Sequence, residues 1–424
     1  MKDTIMKSAS GRKGISRRSM LRTAGIGAGA LSIGSALPDP AQDVIAAEAR
    51  SHASLKITDY ELINVRAPSG AKWIFVRLKT NLGLTGLGEA SFARNYQADE
   101  IKEFFPFIRD TSPFNVETFR QRGMERAEAG GLPTAAAFCS LEMAMWDLIG
   151  KALGVPVYNL FGGKVRDEVA VYANINRATS ASRDRSPKGF AANAREAVRL
   201  GDTAIKAAPF DGFPKLTAPI EDIRKATETG IACIAAIREA VGPDVKILID
   251  CHSNFNVEMA VDIARRLEPY NLFWYEEPVD PKNIEETKAI KTAIKQTVAG
   301  GEMLFGMEGF ATLCTNEAVE IIMPDLAFCG GIKECMKIAT MAELFDDILV
   351  SPHNPVGPVS TAATMQVCAA IPNFNIMERQ WNPNTWRGDL VDPPERFING
   401  AITVPDGPGI GVELNESVVK KHLE

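Results

Sequence analysis

Three acidic residues recur at one spacing in this chain. Asp250, Glu276 and Glu302 stand 26 residues apart. Asp250 ends the apolar run Lys246-Ile247-Leu248-Ile249, Glu276 ends Leu272-Phe273-Trp274-Tyr275, and Glu302 ends Thr297-Val298-Ala299-Gly300-Gly301. A strand of about five residues, a helix of about ten to fifteen and two loops make a repeat of that length. Each acid therefore falls at the C-terminal end of successive parallel strands. In a (β/α)8 barrel those ends share the face that carries chemistry. Three carboxylates converging there repel one another unless a cation lies between them. Hard oxygen ligands that leave room for substrate and water favour Mg2+. A strand-end acid can also simply cap the helix that follows, but three in register favour the metal site.

The chain has four histidines, His52, His252, His353 and His422. Two of them fall at strand ends, His252 two residues past Asp250 and His353 after Ile348-Leu349-Val350-Ser351-Pro352. Asp325 ends the neighbouring run Ile321-Ile322-Met323-Pro324. Adjacent strand ends can set a carboxylate against one imidazole nitrogen, which fixes the tautomer and raises the basicity of the other. The plainer role for Asp325 is a helix cap before Gly330-Gly331. Strand alternation turns His252 to the side of Asp250 and points Cys251 away. Lys206 ends another run, where its ammonium faces either a substrate oxygen or solvent. Glu378 ends Asn375-Ile376-Met377, where it either hydrogen-bonds a substrate oxygen or pairs with Arg379 or a neighbour. The seven cysteines contain no CxxC pair and leave one odd. They read as packing residues, with neither a disulfide framework nor a zinc site.

The elements that must position these groups are legible. Strand-like runs at Val169–Ile175, Ala204–Ala208, Lys246–Asp250, Leu272–Glu276, Thr297–Gly301, Glu320–Pro324, Ile348–Pro352 and Asn375–Glu378 alternate with amphipathic stretches, clearest at Ala260–Leu267 and Ile332–Phe345. This is the pattern of an eight-stranded α/β barrel over residues 168–394. Ahead of it, Leu55–Val65, Trp73–Lys79 and Leu82–Gly88 read as antiparallel strands. Helical patterns follow at Asp99–Ile108, Val116–Glu128 and Thr134–Leu153. Residues 50–167 thus form a separate α+β domain, completed by residues 395–424 folding back. The glycines of Asn81–Glu89 look superficially nucleotide-binding, but no helix opens after them.

At 424 residues and 46% hydrophobic, the composition is that of a soluble globular protein. The net charge of −6 hides an asymmetry, because residues 1–50 hold eight Lys/Arg against four Asp/Glu and the rest holds 39 against 49. No basic patch with interleaved aromatics is present, which argues against a nucleic-acid partner. Residues 1–49 read as a targeting segment, since Ser16-Arg17-Arg18-Ser19-Met20-Leu21 resembles the twin-arginine export signal. The Gly/Ala-rich run Thr23–Leu37 is too short to span a membrane stably. The expectation is a periplasmic protein with no membrane attachment in its mature form.

Asp250-x-His252, Glu276-Glu277-Pro278, Gly301-Glu302, Pro324-Asp325-Leu326, Gly330-Gly331-Ile332 and Pro352-His353 together resemble the enolase superfamily. Within it they resemble the mandelate racemase subgroup, and most closely its galactonate dehydratase-type acid-sugar dehydratases. Trp146-Asp147-Leu148 with Lys151, the stretch Pro156 to Gly163, and Pro408-Gly409-Ile410-Gly411 add to the likeness. The resemblance covers residues 55–415. It implies an N-terminal α+β capping domain over a modified (β/α)7β TIM barrel, with Mg2+ on Asp250, Glu276 and Glu302. It also implies a sugar-acid substrate and a homo-oligomer, with specificity set by loops at Ser91–Tyr96 and Gly130–Pro133. The implied reaction has His353, oriented by Asp325, take the α-proton, His252 protonate the departing β-hydroxyl, and Lys206 and Glu378 assist. Many relatives carry Lys-x-Lys on the second strand, the second lysine being a base; here the stretch is Lys206-Ala207-Ala208. That departure disfavours a two-base racemase or a lysine-dependent cycloisomerase. Retention of the metal ligands, His353 and Asp325 argues against the other alternative, a non-catalytic sugar-acid binding or regulatory protein.

Overall fold

Alternating apolar residues between Ile57 and Glu89 produce a three-stranded antiparallel sheet in the order β1 (Ile57–Arg66), β2 (Lys72–Thr80), β3 (Thr85–Glu89). A computed structural model describes residues 54–67, 72–91, 98–176, 184–381 and 385–424. Residues 1–49, which the sequence reads as a targeting segment, His52, and residues 92–96 of the stretch Ser91–Tyr96 lie outside the described residues. Three helices follow: α1 (Ala98–Phe104) and α2 (Val116–Ala129) pack against α3 (Gly131–Leu153), which lies on the sheet. Gly86 and Gly88 let β3 lie close to α3, where a Cβ would run into the carbonyls of Ala144 and Ser140. Phe104, Phe119 and Phe138 fill the space between the helices, with Phe119 and Phe138 stacked at 4.6 Å.

The barrel alternates β4 (Glu168–Asn174), α4 (Pro187–Arg199), β5 (Ala204–Ala207), α5 (Ile220–Val241), β6 (Lys246–Asp250), α6 (Val257–Leu267), β7 (Trp274–Glu276), α7 (Ile284–Ala293), β8 (Val298–Gly300), α8 (Gly306–Thr315), β9 (Ile321–Ile322), α9 (Ile332–Ala342), β10 (Leu349–Val350), α10 (Pro358–Ala370) and β11 (Met377–Gln380). Neighbouring strands from β4 to β10 pair in parallel, and β11 pairs in parallel with β4. A bridge between Val350 and Phe374 and the bond from Glu378 N to Pro352 O (3.1 Å) close the gap between β10 and β11. Among the described residues a short 3-10 turn at Arg387–Leu390, not an α-helix, follows β11. The simple eightfold count from the strand runs thus gives way to the (β/α)7β form that the resemblance implies. Tyr172, Leu248, Trp274, Ile321, Met323 and Ile376 pack together inside the barrel.

Past the barrel come β12 (Val391–Asp392), β13 (Phe397–Ile398), β14 (Ala401–Thr403), β15 (Glu413–Leu414) and α11 (Glu416–His422). This segment serves both parts of the chain. β14 pairs antiparallel with β4 of the barrel, while Gly409 bridges to Pro156 and Leu423 to Val65.

Buried acids on the capping elements hold them to the barrel. Glu142 on α3 accepts from Ile332 N (2.8 Å) and Lys333 N (3.0 Å), and so caps α9. Glu89 at the end of β3 accepts from Gly357 N (2.6 Å) and Ser360 N (2.8 Å), and so caps α10. Side-chain acceptors at a helix start satisfy N–H groups that lack partners within the helix. Here the acceptors come from elsewhere in the chain. Arg120 on α2 pairs with Glu334 on α9 and donates to Gly330 O at 2.9 Å.

Asp147 ties α3 to two other segments, accepting from Leu87 N (2.8 Å) and Ile410 N (2.9 Å) and pairing with Lys151 (2.7 Å). Asp147→Ala leaves two buried backbone donors without their acceptor, while Lys151 keeps Glu413 and Thr85 O. The expected loss is about 2–5 kcal/mol of unfolding free energy, at about 1–3 kcal/mol for each unsatisfied donor. Urea denaturation measures it, and a loss within about 0.5 kcal/mol, the range of ordinary surface substitutions, would contradict this role.

Candidate active site

The parallel register brings the strand-end acids together. Asp250 and Glu276 are direct partners across β6 and β7. Lys206 on β5 is 1% exposed, and its Nζ lies 2.8 Å from Glu276, 3.5 Å from Asp250, 3.6 Å from Glu378 and 3.8 Å from Glu302. Its ammonium also sits over the Tyr172 ring at 5.5 Å. The solvated alternative for Lys206 is thereby excluded. Glu378 is equally committed, accepting from Asn174 Nδ2 (2.5 Å), Tyr172 OH (3.3 Å) and Asn354 N (3.3 Å). Arg379 turns instead to Asp202, at 2.5 Å, so the Glu378–Arg379 pairing does not form.

Negative charge is in excess here. Burial raises the Glu302 carboxyl well above its usual range, and Asp250 and Glu276 add to that rise. Its Oε2 is buried yet accepts no hydrogen bond, standing 3.2 Å from His353 Nε2. Asp250, His252 and Glu302 each turn one potential ligand atom into a common region, all within 4.8 Å of one another. Glu276 differs from the other two acids, because its oxygens are held by Lys206 and by Trp274 Nε1, each at 2.8 Å. An orphaned buried carboxylate oxygen amid hard oxygen donors fits a divalent cation such as Mg2+.

Both histidines direct Nε2 at this cluster. His353 Nδ1 lies 2.7 Å from Asp325 Oδ2, and its Nε2 lies 3.5 Å from Glu378. Asp325 is itself held by Ala327 N at 2.7 Å. Burial alone would lower the His353 pKa, but Glu302, Glu378 and Asp325 outweigh it and hold it up to about 10. His252 Nε2 lies 2.9 Å from Asp250, and its Nδ1 lies 2.5 Å from Asp211. Strand pleating does not place it there. β6 ends at Asp250, and His252 (φ 45) and Ser253 (φ 55) follow in left-handed backbone. Bonds from His252 N to Asp250 Oδ1 (2.9 Å) and from Ser253 N to Glu277 O (2.8 Å) hold that turn. Non-glycine residues kept in this region cluster at functional sites, where surrounding structure over-determines them.

Sequence comparisons agree with this geometry. Residues 59–162 match the N-terminal domain of mandelate racemase / muconate lactonizing enzyme, and residues 189–418 match the enolase C-terminal domain-like family. The chain belongs to the enolase superfamily. It is 39% identical over 292 residues to a D-gluconate dehydratase of Thermoproteus tenax, a match spanning 68% of this chain and 56% of that protein. It is 34% identical over 376 residues to a D-galactonate dehydratase of Verminephrobacter eiseniae, spanning 86% and 94%. A solved enolase superfamily member from Salmonella Typhimurium overlays with a TM-score of 0.77 at 31% identity, covering 87% of this chain and 98% of that one.

The sequence assigns no role to several residues at this superfamily site, Glu277 of the Glu276-Glu277-Pro278 motif among them. Glu277 faces Gly301 N (2.8 Å) and Glu302 N (3.3 Å), and so braces the loop that carries Glu302. Burial pushes its carboxyl up to about 7. Asn174, Asp211 and Trp274 support Glu378, His252 and Glu276 in turn. Only their nearness to strand ends could have marked them. A cavity of about 440 Å3 lies beside the site, lined in part by Gly131, Leu132, Met303 and Phe328. Met303 follows Glu302 in the chain, and the Phe328 ring stands 6.4 Å from the His353 ring.

A folded-state pKa above the ordinary 6.5 means that the His353 contacts stabilise metal-free protein fully below pH 6.5 and cease to do so as pH rises through about 10. Glu302→Gln removes the foremost of the charges behind that rise. NMR titration of the labelled imidazole should show the His353 pKa falling in this variant. An unchanged value would separate His353 from Glu302.

Proposed function

We propose that this protein is a Mg2+-dependent hydro-lyase that dehydrates a sugar acid of the aldonate class to a 2-keto-3-deoxy acid. The observation that carries this reading is a pair of histidines, each with Nδ1 held by an aspartate and Nε2 turned to one carboxylate cluster. The dehydratase relatives support it. Asp250, Glu276 and Glu302 hold the ion; Glu276 is preferred to His252 because Mg2+ selects oxygen over imidazole. When bound, Mg2+ supplies charge stabilisation at the carboxylate end of the substrate.

The residues divide the reaction between them. His353 Nε2, neutral once Glu302 engages a bound cation, takes the proton from the α-carbon, and Asp325 on Nδ1 steadies the imidazolium that results. Lys206 offers positive charge where negative charge grows on the substrate carboxylate. Glu378 hydrogen-bonds a substrate oxygen. As the β-carbon–oxygen bond breaks, His252 donates a proton and water leaves; the enol then tautomerises to the keto acid. Ala208 stands where a second lysine base would be needed, which weighs against a racemase.

Purified protein with Mg2+, incubated with D-gluconate, D-galactonate and other sugar acids, should release 2-keto-3-deoxy products. Glu276→Gln and Glu302→Gln should each weaken Mg2+ binding, measured by calorimetry, while His252→Asn leaves it nearly unchanged. Strong loss only in the histidine variant would move the ion to Asp250, His252 and Glu302. His353→Asn should abolish both dehydration and exchange of the α-proton with deuterated solvent, a loss of roughly a hundred- to ten-thousandfold. Continued exchange in that variant would remove His353 as the base.

We also propose export to the periplasm, on the strength of Arg17-Arg18. Replacing both with Lys keeps the charge and should retain the protein in the cytoplasm. Unchanged export would defeat that assignment.

A further inference from the structure

Asp211 has no place in the spacing pattern and none in the superfamily motifs above. It lies in the loop after β5, in the turn Ala208–Gly212, and its side chain remains about one-third exposed. Even so, it is held on several sides. Oδ1 meets His252 Nδ1 at 2.5 Å, while Oδ2 accepts from Asn176 Nδ2 (3.2 Å) and pairs with Arg185 Nη2 (3.3 Å). The loop itself is anchored by Phe210, whose ring packs edge-on against Phe255 at 5.0 Å. Asn254 Nδ2 spans the same two loops, donating to Cys251 O (2.8 Å) and Phe210 O (3.3 Å).

His252 needs such a partner. Its side chain is 40% exposed, and it stands on left-handed backbone beyond the end of β6. Packing therefore does not choose its ring orientation. An imidazole free to flip would present Nδ1 and Nε2 by turns, and a proton donor must present one nitrogen. The carboxylate at 2.5 Å accepts Nδ1–H and leaves Nε2 facing the cluster. Asn176 extends the arrangement, because its backbone N donates to Asn174 Oδ1 (3.0 Å) while Asn174 Nδ2 donates to Glu378 (2.5 Å). A chain of hydrogen bonds thus joins the acid on β11 to the histidine after β6.

We propose that Asp211 is a positioning residue for His252, which gives the site two histidine–aspartate dyads, Asp325–His353 for proton abstraction and Asp211–His252 for expulsion of the β-hydroxyl. The assignment of steps rests on the dehydratase reading above; the dyad itself does not.

Asp211→Asn keeps the shape and removes the charged acceptor. In wild type, a far-downfield ring N–H resonance of His252 should report the short bond, and Asp211→Asn should lose it. Its absence from wild type overturns the proposal whatever the enzyme acts on. With D-gluconate and D-galactonate, the variant should release keto acid roughly ten- to a hundredfold more slowly, a part of the roughly hundred- to ten-thousandfold that a positioned proton donor contributes. Exchange of the α-proton should stay within about twofold, since the general base is untouched. The 3-deoxy-3-fluoro analogues lose fluoride without needing a proton, so their elimination should change far less than that of the hydroxyl substrates. A parallel fall in exchange, dehydration and fluoride release would make Asp211 merely structural and overturn the proposal. If wild type processes none of these acids, the dehydratase reading fails, and the resonance still decides the dyad.

Discussion

Four buried carboxylates share one lysine at the mouth of this barrel. Asp250, Glu276, Glu302 and Glu378 surround Lys206, and all five are at most 6% exposed. Taking each ion out of water costs several kcal/mol unless charges and hydrogen bonds replace the solvent. Much of the nearby structure answers that demand. Trp274 and Lys206 hold Glu276; Asn174, Tyr172 and Asn354 hold Glu378; Glu277 holds the backbone of Glu302. Glu302 Oε2 is buried without a hydrogen bond, and both histidines are driven toward the charged form. A buried carboxylate oxygen left in this way amid hard oxygen donors fits a divalent cation.

The capping elements obey a related constraint. Glu89 and Glu142 are also buried acids, and burial pushes both carboxyls upward. They are tolerated because each meets unpaired N–H groups at a helix start. Those helices, α10 and α9, follow the strands that lead into His353 and Asp325. Docking of the cap therefore fixes the starts of the two helices that follow the strands leading into Asp325 and His353. Glycine is required at the junctions, since a Cβ at Gly331 or Gly357 would strike the capping carboxylate.

The sequence by itself determined the strands, their order and the acids that end them. Periodicity, the 26-residue spacing and strand-end placement are local or repeating properties, and the barrel converts them into one face. The predicted run Lys246–Asp250 coincides with β6, and Asp325 meets His353 across adjacent strands as the spacing requires. The modified barrel came from motif resemblance, because a missing eighth helix leaves no periodic signal. Tertiary structure alone decided how the side chains are shared. Arg379 turns to Asp202 and away from Glu378; Lys206 is buried; His252 reaches Asp250 through a left-handed turn and not through pleating. Asp211 lies 41 residues before His252, and Glu89 lies 268 residues before Gly357. Pairings over such distances depend on loop paths and on which donors burial leaves unsatisfied, and neither is written in the local pattern of residues.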